Sequence, residues 1–270
     1  MIEYLRSLIL GVVEGITEWL PISSTGHMIL VNEFIHNEGT FTSSDLYLYV
    51  IQLGAILAVV TLYFKTLNPF SRKKSTAEKK STWQLLFKIV VGCIPAAVVG
   101  LLLNDMMEKL ETPFVVAAAL IVYGIAFIVV EKIHKKTTIT HLDQLTYKTA
   151  LLIGAFQMLS IVPGTSRSGS TIIGGMLAGC SRAVAAEFTF FLAVPVMFGV
   201  SALKIATYHG SFYPSDIAVL ITGMAVSYIV SLIAIRFLMN FVKRHSFTAF
   251  GWYRIILGIF VTLFFVFTAA

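Results

Sequence analysis

Six apolar stretches of about 20 residues constrain the fold of this 270-residue chain more than any other feature. Each is long enough to cross a hydrocarbon layer about 30 Å thick, and a backbone inside lipid must satisfy its hydrogen bonds within helices or closed barrels. Only 13% of residues are charged, against about 25% in a soluble domain. The predicted spans lie near 44–64, 85–103, 113–131, 184–204, 217–238 and 250–268. We therefore predict an all-α integral membrane protein with one polytopic membrane domain over residues 1–270.

Two further regions are apolar but are interrupted by proline and then by a cluster of serine, threonine and glycine. The first contains Glu14-Gly-Ile-Thr-Glu18-Trp-Leu-Pro21-Ile-Ser23-Ser24-Thr25-Gly26-His27. The second contains Pro163-Gly-Thr165-Ser166-Arg167-Ser168-Gly169-Ser170-Thr171. An ionisable side chain at bilayer depth costs at least about 2.5 kcal/mol, so Glu14, Glu18 and Arg167 are candidates for function.

The distribution of lysine and arginine predicts the topology. Positive residues crowd three loops, near 65–88, 132–148 and 236–254, and short loops of this kind stay in the cytoplasm. The connections at 104–111, which is acidic, and 204–216, which carries little charge, are predicted to lie outside. The excess of 20 Lys and Arg over 14 Asp and Glu thus indicates topology and not nucleic-acid binding. With six crossings, each interrupted region begins and ends on one side, and we predict two re-entrant helix pairs.

The second half of the chain repeats the first. Gly11 aligns with Gly154 and Glu14 with Gln157, and after a one-residue adjustment Leu20-Pro21-Ile-Ser23-Ser24 aligns with Val162-Pro163-Gly-Thr165-Ser166. Each half, about 1–131 and 145–268, is predicted to hold one re-entrant pair and three crossings. Because three is odd, the halves have opposite orientation, which is the inverted-topology repeat of secondary transporters. Chance similarity among apolar helices is the alternative.

Glu14 and Glu18 are four residues apart, so on a helix they share one face, with Cβ atoms about 5–6 Å apart. Two carboxylates without a counter-ion repel each other. A hard divalent cation such as Mg²⁺ or Ca²⁺, shared with a substrate phosphate, would relieve that repulsion, which favours a metal site at Glu14 and Glu18. A pair that faces outside water and a pair that carries protons are the alternatives.

The second cluster is suited to binding an oxyanion. Its small residues let backbone N–H groups at a helix start approach an anion, and Arg167 adds a planar, permanent charge that matches phosphate. Packing between membrane helices is the alternative reading of such a cluster. The predicted substrate contacts from both clusters are Ser23, Thr25, Thr165, Ser166, Ser168, Ser170 and Thr171.

Ser24 and His27 place a hydroxyl within about one turn of an imidazole. A hydroxyl needs a neighbouring base or metal to become a good nucleophile, and histidine is the usual base. A site with metal, anion-binding amides, arginine, hydroxyl and imidazole is typical of phosphoryl transfer. Because the site lies among lipid-facing helices, we expect an amphiphilic substrate with a phosphorylated head and a long apolar tail.

The two clusters resemble the signature segments of the bacterial undecaprenyl-diphosphate phosphatase family of the bacitracin-resistance type. The resemblance covers the whole chain in length, segment count and motif spacing. It implies a multi-pass hydrolase of the bacterial inner membrane that converts undecaprenyl diphosphate to undecaprenyl phosphate and inorganic phosphate. That reaction recycles the lipid carrier for peptidoglycan synthesis and confers bacitracin resistance. The resemblance also implies an inverted repeat and a site that opens to the outer face.

By motif position, the resemblance implies a metal-associated acidic pair, a nucleophile with its acid/base group, and a phosphate-binding set. These are Glu14 and Glu18, then Ser24 and His27, then Ser166, Arg167 and Thr171. We therefore expect Ser24, activated by His27, to attack the terminal phosphorus while Arg167 holds the diphosphate. Direct attack by water with His27 as base is the alternative route.

A polyprenyl-phosphate transporter or flippase is the alternative function, since inverted repeats and broken helices also occur in transporters. The sequence leaves open the choice between Mg²⁺ and Ca²⁺, the preferred tail length, and whether the protein works as a homodimer. Arg254, near the start of the last span, is predicted to be an interfacial anchor in preference to a substrate contact.

Overall fold

The computed structural model describes residues 1–108, 110, 112–134, 137–211 and 213–268. These residues form helices and no strand, apart from one isolated bridge between Ile139 and Cys180. The predicted all-α fold class is therefore confirmed. Among the positions used to predict the topology, those outside the described residues are Lys109, Glu111, Lys135 and Lys136.

Six of the described helices are long and apolar enough to cross a membrane, and they coincide with the six predicted spans. These six are α3, α5, α6, α9, α10 and α11. In chain order the α-helices are α1 (Ile2–Thr17), α2 (Ser24–Phe34), α3 (Asp45–Leu62), α4 (Phe64–Leu67), α5 (Thr76–Glu108), α6 (Pro113–Ile133), α7 (Tyr147–Gln157), α8 (Arg167–Leu177), α9 (Arg182–Ala206), α10 (Pro214–Val242) and α11 (Thr248–Thr268).

Helix α5 begins earlier than its apolar stretch, because Ser75 and Glu78 form a reciprocal cap. The Ser75 amide donates to Glu78 Oε2 at 2.7 Å, and the Glu78 amide donates to Ser75 Oγ at 3.3 Å. Such a capping box satisfies two backbone donors that a helix start leaves without partners. The helix therefore extends through a polar segment that hydropathy does not count as part of the span.

Large apolar side chains cover the outward faces of five of the six long helices, whereas Leu57 is the only exposed large apolar residue of α3. On α6, for example, Val122, Ile125 and Val129 are exposed. Burial of apolar surface away from water is the main favourable term in folding, so exposed stripes of this kind require an apolar surrounding. The chain is a multi-pass membrane protein, and lipid tails cover these faces.

The interrupted regions each form two short helices separated by a break at the proline cluster. Helix α1 has 16 residues, and α2, α7 and α8 have 11 each. At 1.5 Å per residue these helices are about 24 Å and about 16 Å long, which is less than a hydrocarbon core of about 30 Å. None of the four can cross the membrane alone, as the prediction of re-entrant pairs requires.

The two halves pack against each other in matching pairs. Helix α1 lies against α10, and α7 lies against α5. A Cβ added to Gly11 would lie 2.7 Å from the Gly223 carbonyl oxygen, and one added to Gly154 would overlap the Gly92 carbonyl oxygen. Small residues permit such close helix approach in membranes. This matched packing fits the predicted repeats, whose boundaries stay a prediction.

The starts of α2 and α8 are equivalent in their backbone geometry. Ser23 and Ser166 are the N-caps, with φ of 72° and 73°, and each accepts a hydrogen bond from the amide three residues later, at 3.3 and 3.1 Å. A positive φ at a residue other than glycine costs about 1–3 kcal/mol and tends to occur at functional sites. The sequence alignment was shifted by one residue so that Pro21 and Pro163 coincide, but the helix starts match without that shift. Ser24 and Arg167, their first residues, are therefore the matching positions.

Candidate active site

Glu18 joins the two tips, which are the breaks between α1 and α2 and between α7 and α8. Its Oε1 atom lies 3.0 Å from Arg167 Nη2, and its Oε2 atom accepts a hydrogen bond of 2.9 Å from the Ser24 hydroxyl. Glu18 is buried, and Arg167 is largely buried. The structure thus brings Arg167 next to Glu18 and Ser24, although Arg167 is far from both in the sequence.

Arg167 is held in this position from two further sides. Its Nη1 donates to the Thr189 carbonyl oxygen on α9 at 2.9 Å, and its guanidinium carbon lies 5.8 Å from the centre of the Trp19 ring. The Thr189 hydroxyl donates to the Thr171 hydroxyl at 2.8 Å, which links α9 to α8. A planar cation held by an ion pair, a carbonyl and an aromatic face is preorganised for an anionic ligand.

Arg254 is not the interfacial anchor that the sequence suggested. Its side chain is fully buried, at 0% exposure, and reaches both tips from α11. Nη1 donates to the Pro21 carbonyl oxygen at 3.2 Å, and Nη2 donates to the carbonyl oxygens of Gly164 and Thr165, both at 2.9 Å. The guanidinium also lies over the Tyr123 ring, 5.7 Å from its centre. Arg254 therefore ties the first tip to the second through backbone carbonyls.

Glu14 borders a cavity of about 150 Å³ beside Ser24 and Thr25. It is only 2% exposed, and its Oε1 atom has no hydrogen-bond partner among the described residues. A buried carboxylate oxygen without a donor costs free energy that a cation or ligand can recover. Glu14 lies on α1 and Glu18 directly follows its last residue, but only Glu14 has a carboxylate oxygen without a hydrogen-bond partner.

Four polar residues that the sequence reasoning missed line the same cavity. Asn32 comes from α2, and Asp45, Tyr49 and Gln52 come from α3. The last three recur at the spacing of one helix face inside an otherwise apolar span, and this spacing is a signal that could have identified them. The cavity therefore has a polar wall on α3 opposite Ser24.

His27 lies beside Tyr253 and not beside the Ser24 hydroxyl. Its Nδ1 lies 2.7 Å from the Ser23 carbonyl oxygen, and its Nε2 lies 2.7 Å from the Tyr253 hydroxyl oxygen. A carbonyl only accepts, so Nδ1 carries a proton, and in the neutral ring Nε2 accepts from Tyr253. The two rings stack with centres 5.7 Å apart. The Ser24 hydroxyl donates its hydrogen bond to Glu18, whereas the sequence suggested His27 as its partner.

Most hydroxyls of the second tip bond within the tip itself. The Ser170 hydroxyl donates to the Ser166 carbonyl oxygen at 3.1 Å, and the Thr171 hydroxyl donates to the Arg167 carbonyl oxygen at 2.9 Å. The residues of the predicted substrate-binding set that are fully buried and do not line the cavity are Ser23, Thr165, Ser168, Ser170 and Thr171. These five side chains are enclosed by protein, whereas Thr25 lines the cavity; a role in substrate binding stays a prediction for the whole set.

The helix starts supply positive potential to the site. The first amides of an α-helix have no acceptor within the helix, and the aligned peptide dipoles leave about half a positive charge there. Ser24 begins α2 on the cavity wall, and Arg167 begins α8 next to Glu18. Both tips therefore favour an anion between them, in agreement with the predicted anion-binding turn.

A metal site made by protein groups alone is absent from the described residues, where no three His, Cys, Asp or Glu side chains come together. Glu18 uses one oxygen for Arg167 and the other for Ser24. Glu14 lines the cavity, and its Oε1 atom has no hydrogen-bond partner among the described residues. The residues present fit a hard cation only if a phosphorylated ligand supplies further oxygens, which is how Mg²⁺ is commonly held.

Comparison with known proteins gives consistent matches over nearly the whole chain. The model of a family described as bacitracin resistance protein BacA matches residues 7–260. The chain is 53% identical over 269 residues to an undecaprenyl-diphosphatase of Desulfitobacterium hafniense, covering 98% of this chain and 97% of the relative. It is 54% identical over 259 residues to an undecaprenyl-diphosphatase of Enterococcus faecalis, covering 94% of each. A third relative of the same name, from Streptococcus thermophilus, is 54% identical over 267 residues, covering 97% of this chain and 93% of the relative.

Proposed function

Since this chain belongs to the bacitracin resistance protein BacA family, we propose that it hydrolyses undecaprenyl diphosphate to undecaprenyl phosphate and inorganic phosphate. The observation that carries the proposal is Glu18, which joins the Ser24 hydroxyl to Arg167 beside the cavity. The reaction recycles the lipid carrier for peptidoglycan synthesis, and bacitracin resistance follows from it. The three relatives are all named as diphosphatases, and no feature of the described residues favours the flippase alternative.

In the proposed reaction, Ser24 Oγ attacks the terminal phosphorus of the diphosphate. The bond from that phosphorus to the bridging oxygen breaks, its electron pair stays on the bridging oxygen, and undecaprenyl phosphate leaves. The Ser24 proton passes to Glu18, whose Oε2 already accepts it in a hydrogen bond of 2.9 Å. Water then attacks the phosphorus of the phosphoserine, and the bond from phosphorus to Ser24 Oγ breaks. Oγ recovers its proton from Glu18, and both hydrogens of the water leave with the inorganic phosphate.

Arg167 and the first amides of α2 are proposed to hold the negative charge of the transferring phosphoryl group. Loss of one preorganised donor of this kind typically lowers kcat by about 10²–10³-fold. Because Arg167 is fixed by Thr189 and Trp19 as well as by Glu18, its position does not depend on the substrate. Its role is to bind charge, whereas Glu18 moves the proton.

We also propose a divalent cation, Mg²⁺ or Ca²⁺, held by Glu14 together with the diphosphate oxygens. When bound there, the cation would neutralise phosphate charge. The support is Glu14 itself, which lines the cavity and whose Oε1 atom has no hydrogen-bond partner among the described residues. Glu18, named with Glu14 as a metal ligand from the sequence, has both oxygens engaged and is assigned to Ser24 and Arg167 instead.

The site is proposed to open to the outer face of the bacterial inner membrane. The cavity reaches Asp45 at the start of α3. The lysines and arginines of the loop near 65–88 follow the other end of α3, and such loops stay in the cytoplasm. The start of α3 therefore lies at the outer side, where a diphosphate released by envelope assembly would arrive.

Phosphate release from a C55 polyprenyl diphosphate, with and without a chelator, tests this function. Ser24→Ala is expected to lose at least about 10³-fold in kcat if the hydroxyl is the nucleophile. Ser160→Ala is the matched control, because its hydroxyl bonds to the Gln157 carbonyl oxygen away from the cavity. Near-normal turnover of Ser24→Ala would eliminate the covalent route and leave attack by water. Wild-type rates for Arg167→Ala would contradict the assignment of the site.

A further inference from the structure

We propose that a second pocket, at the end of the protein opposite the catalytic cavity, binds the phosphate group of a phospholipid headgroup. The pocket has a volume of about 300 Å³ and lies between the start of α5, the segment after α3 and the loop before α7. Its polar walls include Thr66, Lys74, Thr82, Lys88 and Asp143. Its position follows from the same loop charges that place this end in the cytoplasm, and it does not depend on the phosphatase assignment.

Lys88 is a buried ammonium group without an ion-pair contact among the described residues, and the exposed Asp143 carboxylate acts on it only from beyond ion-pair distance. The residue is 8% exposed, and its Nζ makes one long contact, of 3.5 Å, to the Asp143 carbonyl oxygen. No carboxylate oxygen of the described residues lies within 4.0 Å of it. An ammonium has three donors, and a buried charge is tolerated only when it is paired and hydrogen-bonded. The free donors of Lys88 are therefore suited to an oxyanion in the pocket.

Lys74 supplies a second cation at the same pocket. Its Nζ donates to the Thr66 carbonyl oxygen at 3.1 Å and to the Thr82 hydroxyl at 2.7 Å. These two bonds hold the side chain over the cavity and leave one donor for a ligand. The Thr82 hydroxyl donates to the Glu78 carbonyl oxygen at 2.9 Å, so the donors left for a ligand are those of the two ammonium groups. Two ammonium groups on one small cavity match the several oxygens of a phosphate.

Two carboxylates also line the pocket, but they lie at its exposed rim. Glu78 is exposed, and its Oε2 accepts from the Ser75 amide. Asp143 is exposed as well, and it is its backbone carbonyl that touches Lys88. Water and salt screen exposed charges, whereas a buried charge acts at lower effective dielectric. The charge of the buried Lys88 is therefore screened less inside the pocket than the charges of the two exposed carboxylates.

Aromatic side chains show that the pocket lies at headgroup depth. Trp83 on α5 is exposed, and its ring centre lies 5.7 Å from that of Phe70 and 6.1 Å from that of Phe87, both of which are exposed as well. Tryptophan is enriched at the membrane–water interface. Because Trp83 adjoins Thr82 in the sequence, the pocket is level with lipid phosphates of the inner leaflet. A phospholipid headgroup is therefore a more suitable ligand than free inorganic phosphate, although both carry the same oxyanion.

Thermal unfolding of the intact protein in dodecyl maltoside tests this site. Phosphatidylglycerol is expected to raise the Tm of the wild type by at least about 3 °C. The phosphate-free lipid dioleoylglycerol and millimolar inorganic phosphate are expected to leave it unchanged. Lys88→Met and Lys74→Met should lose the response, whereas Lys73→Met, an exposed lysine outside the pocket, should keep it.

Lipid-free samples of the same variants give a second criterion. Because Lys88→Met removes a buried charge that has no ion-pair contact, its lipid-free Tm should equal or exceed that of the wild type. A large drop would show that the ammonium is satisfied within the protein, and this would overturn the proposal. A full phosphatidylglycerol response in Lys88→Met would also overturn it. An equal rise in Tm with inorganic phosphate, lost in Lys88→Met, would show that the ligand is a free anion and not a lipid.

Discussion

Replacing Arg254 by methionine should separate the two tips and reduce catalysis through geometry. The substitution leaves the carbonyl oxygens of Pro21, Gly164 and Thr165 without the donor that now serves all three. A hydrogen bond from a charged donor contributes about 1.5–3 kcal/mol, but removal of the buried guanidinium also ends its own desolvation cost. Each buried carbonyl left unpaired costs about 1–3 kcal/mol, and the desolvation cost that ends with the guanidinium offsets part of the total, so the net loss of stability is expected to be about 3–5 kcal/mol.

The effect on activity should appear in kcat, because Arg254 does not line the cavity. A displacement of about 1 Å between reacting groups can lower a rate about 100-fold, so Arg254→Met should lower kcat by about that factor with KM little changed. Arg254→Lys should recover part of the loss, since an ammonium has three donors but not the planar fork that reaches carbonyls on both tips.

Kinetics over a range of lipid concentrations and thermal unfolding in the same detergent measure both effects. Arg236→Met on α10 is the control, because Arg236 is exposed. A stable Arg254→Met protein with wild-type kcat would refute the reasoning, since it would show that the tips meet without this bridge. A rise in KM at constant kcat would instead indicate direct contact with the substrate.

Three further predictions concern the charges and the helix packing. Glu18→Gln keeps the shape of the side chain but removes the base, so kcat should fall at least about 100-fold. The same change leaves Arg167 buried without a counter-charge, so the Tm should also fall. Unchanged values of both kcat and Tm would contradict this prediction. Glu14→Gln should abolish the effect of a chelator on phosphate release, whereas a wild-type chelator response would remove Glu14 as the cation ligand. Gly154→Ala should lower the Tm, because its Cβ would overlap a carbonyl of α5, whereas Gly100→Ala meets open space and should not; equal Tm values would argue against the close crossing.

Local patterns were sufficient to predict the elements of the fold. Hydropathy identified all six spans, and the clusters at Pro21 and Pro163 identified the two breaks. Both signals act within a few residues, because apolar length decides whether a helix can cross lipid, and proline and hydroxyl side chains end or cap helices. The candidate residues Glu14, Ser24 and Arg167 were found for the same reason, since a polar group in an apolar segment is conspicuous on its own.

Tertiary structure alone decided which of these groups meet. Glu18 and Arg167 are 149 positions apart, and Arg254 is 233 positions from Pro21. The sequence suggested His27 as the partner of Ser24 because the two are close in the chain, yet helix direction turns His27 toward Tyr253 and leaves Ser24 to Glu18. Spacing along a chain specifies a shared helix face, whereas contacts between helices depend on packing that no single segment encodes. The sequence by itself therefore determined the spans, the breaks and the polar candidates, and the tertiary structure determined the pairs that make a site.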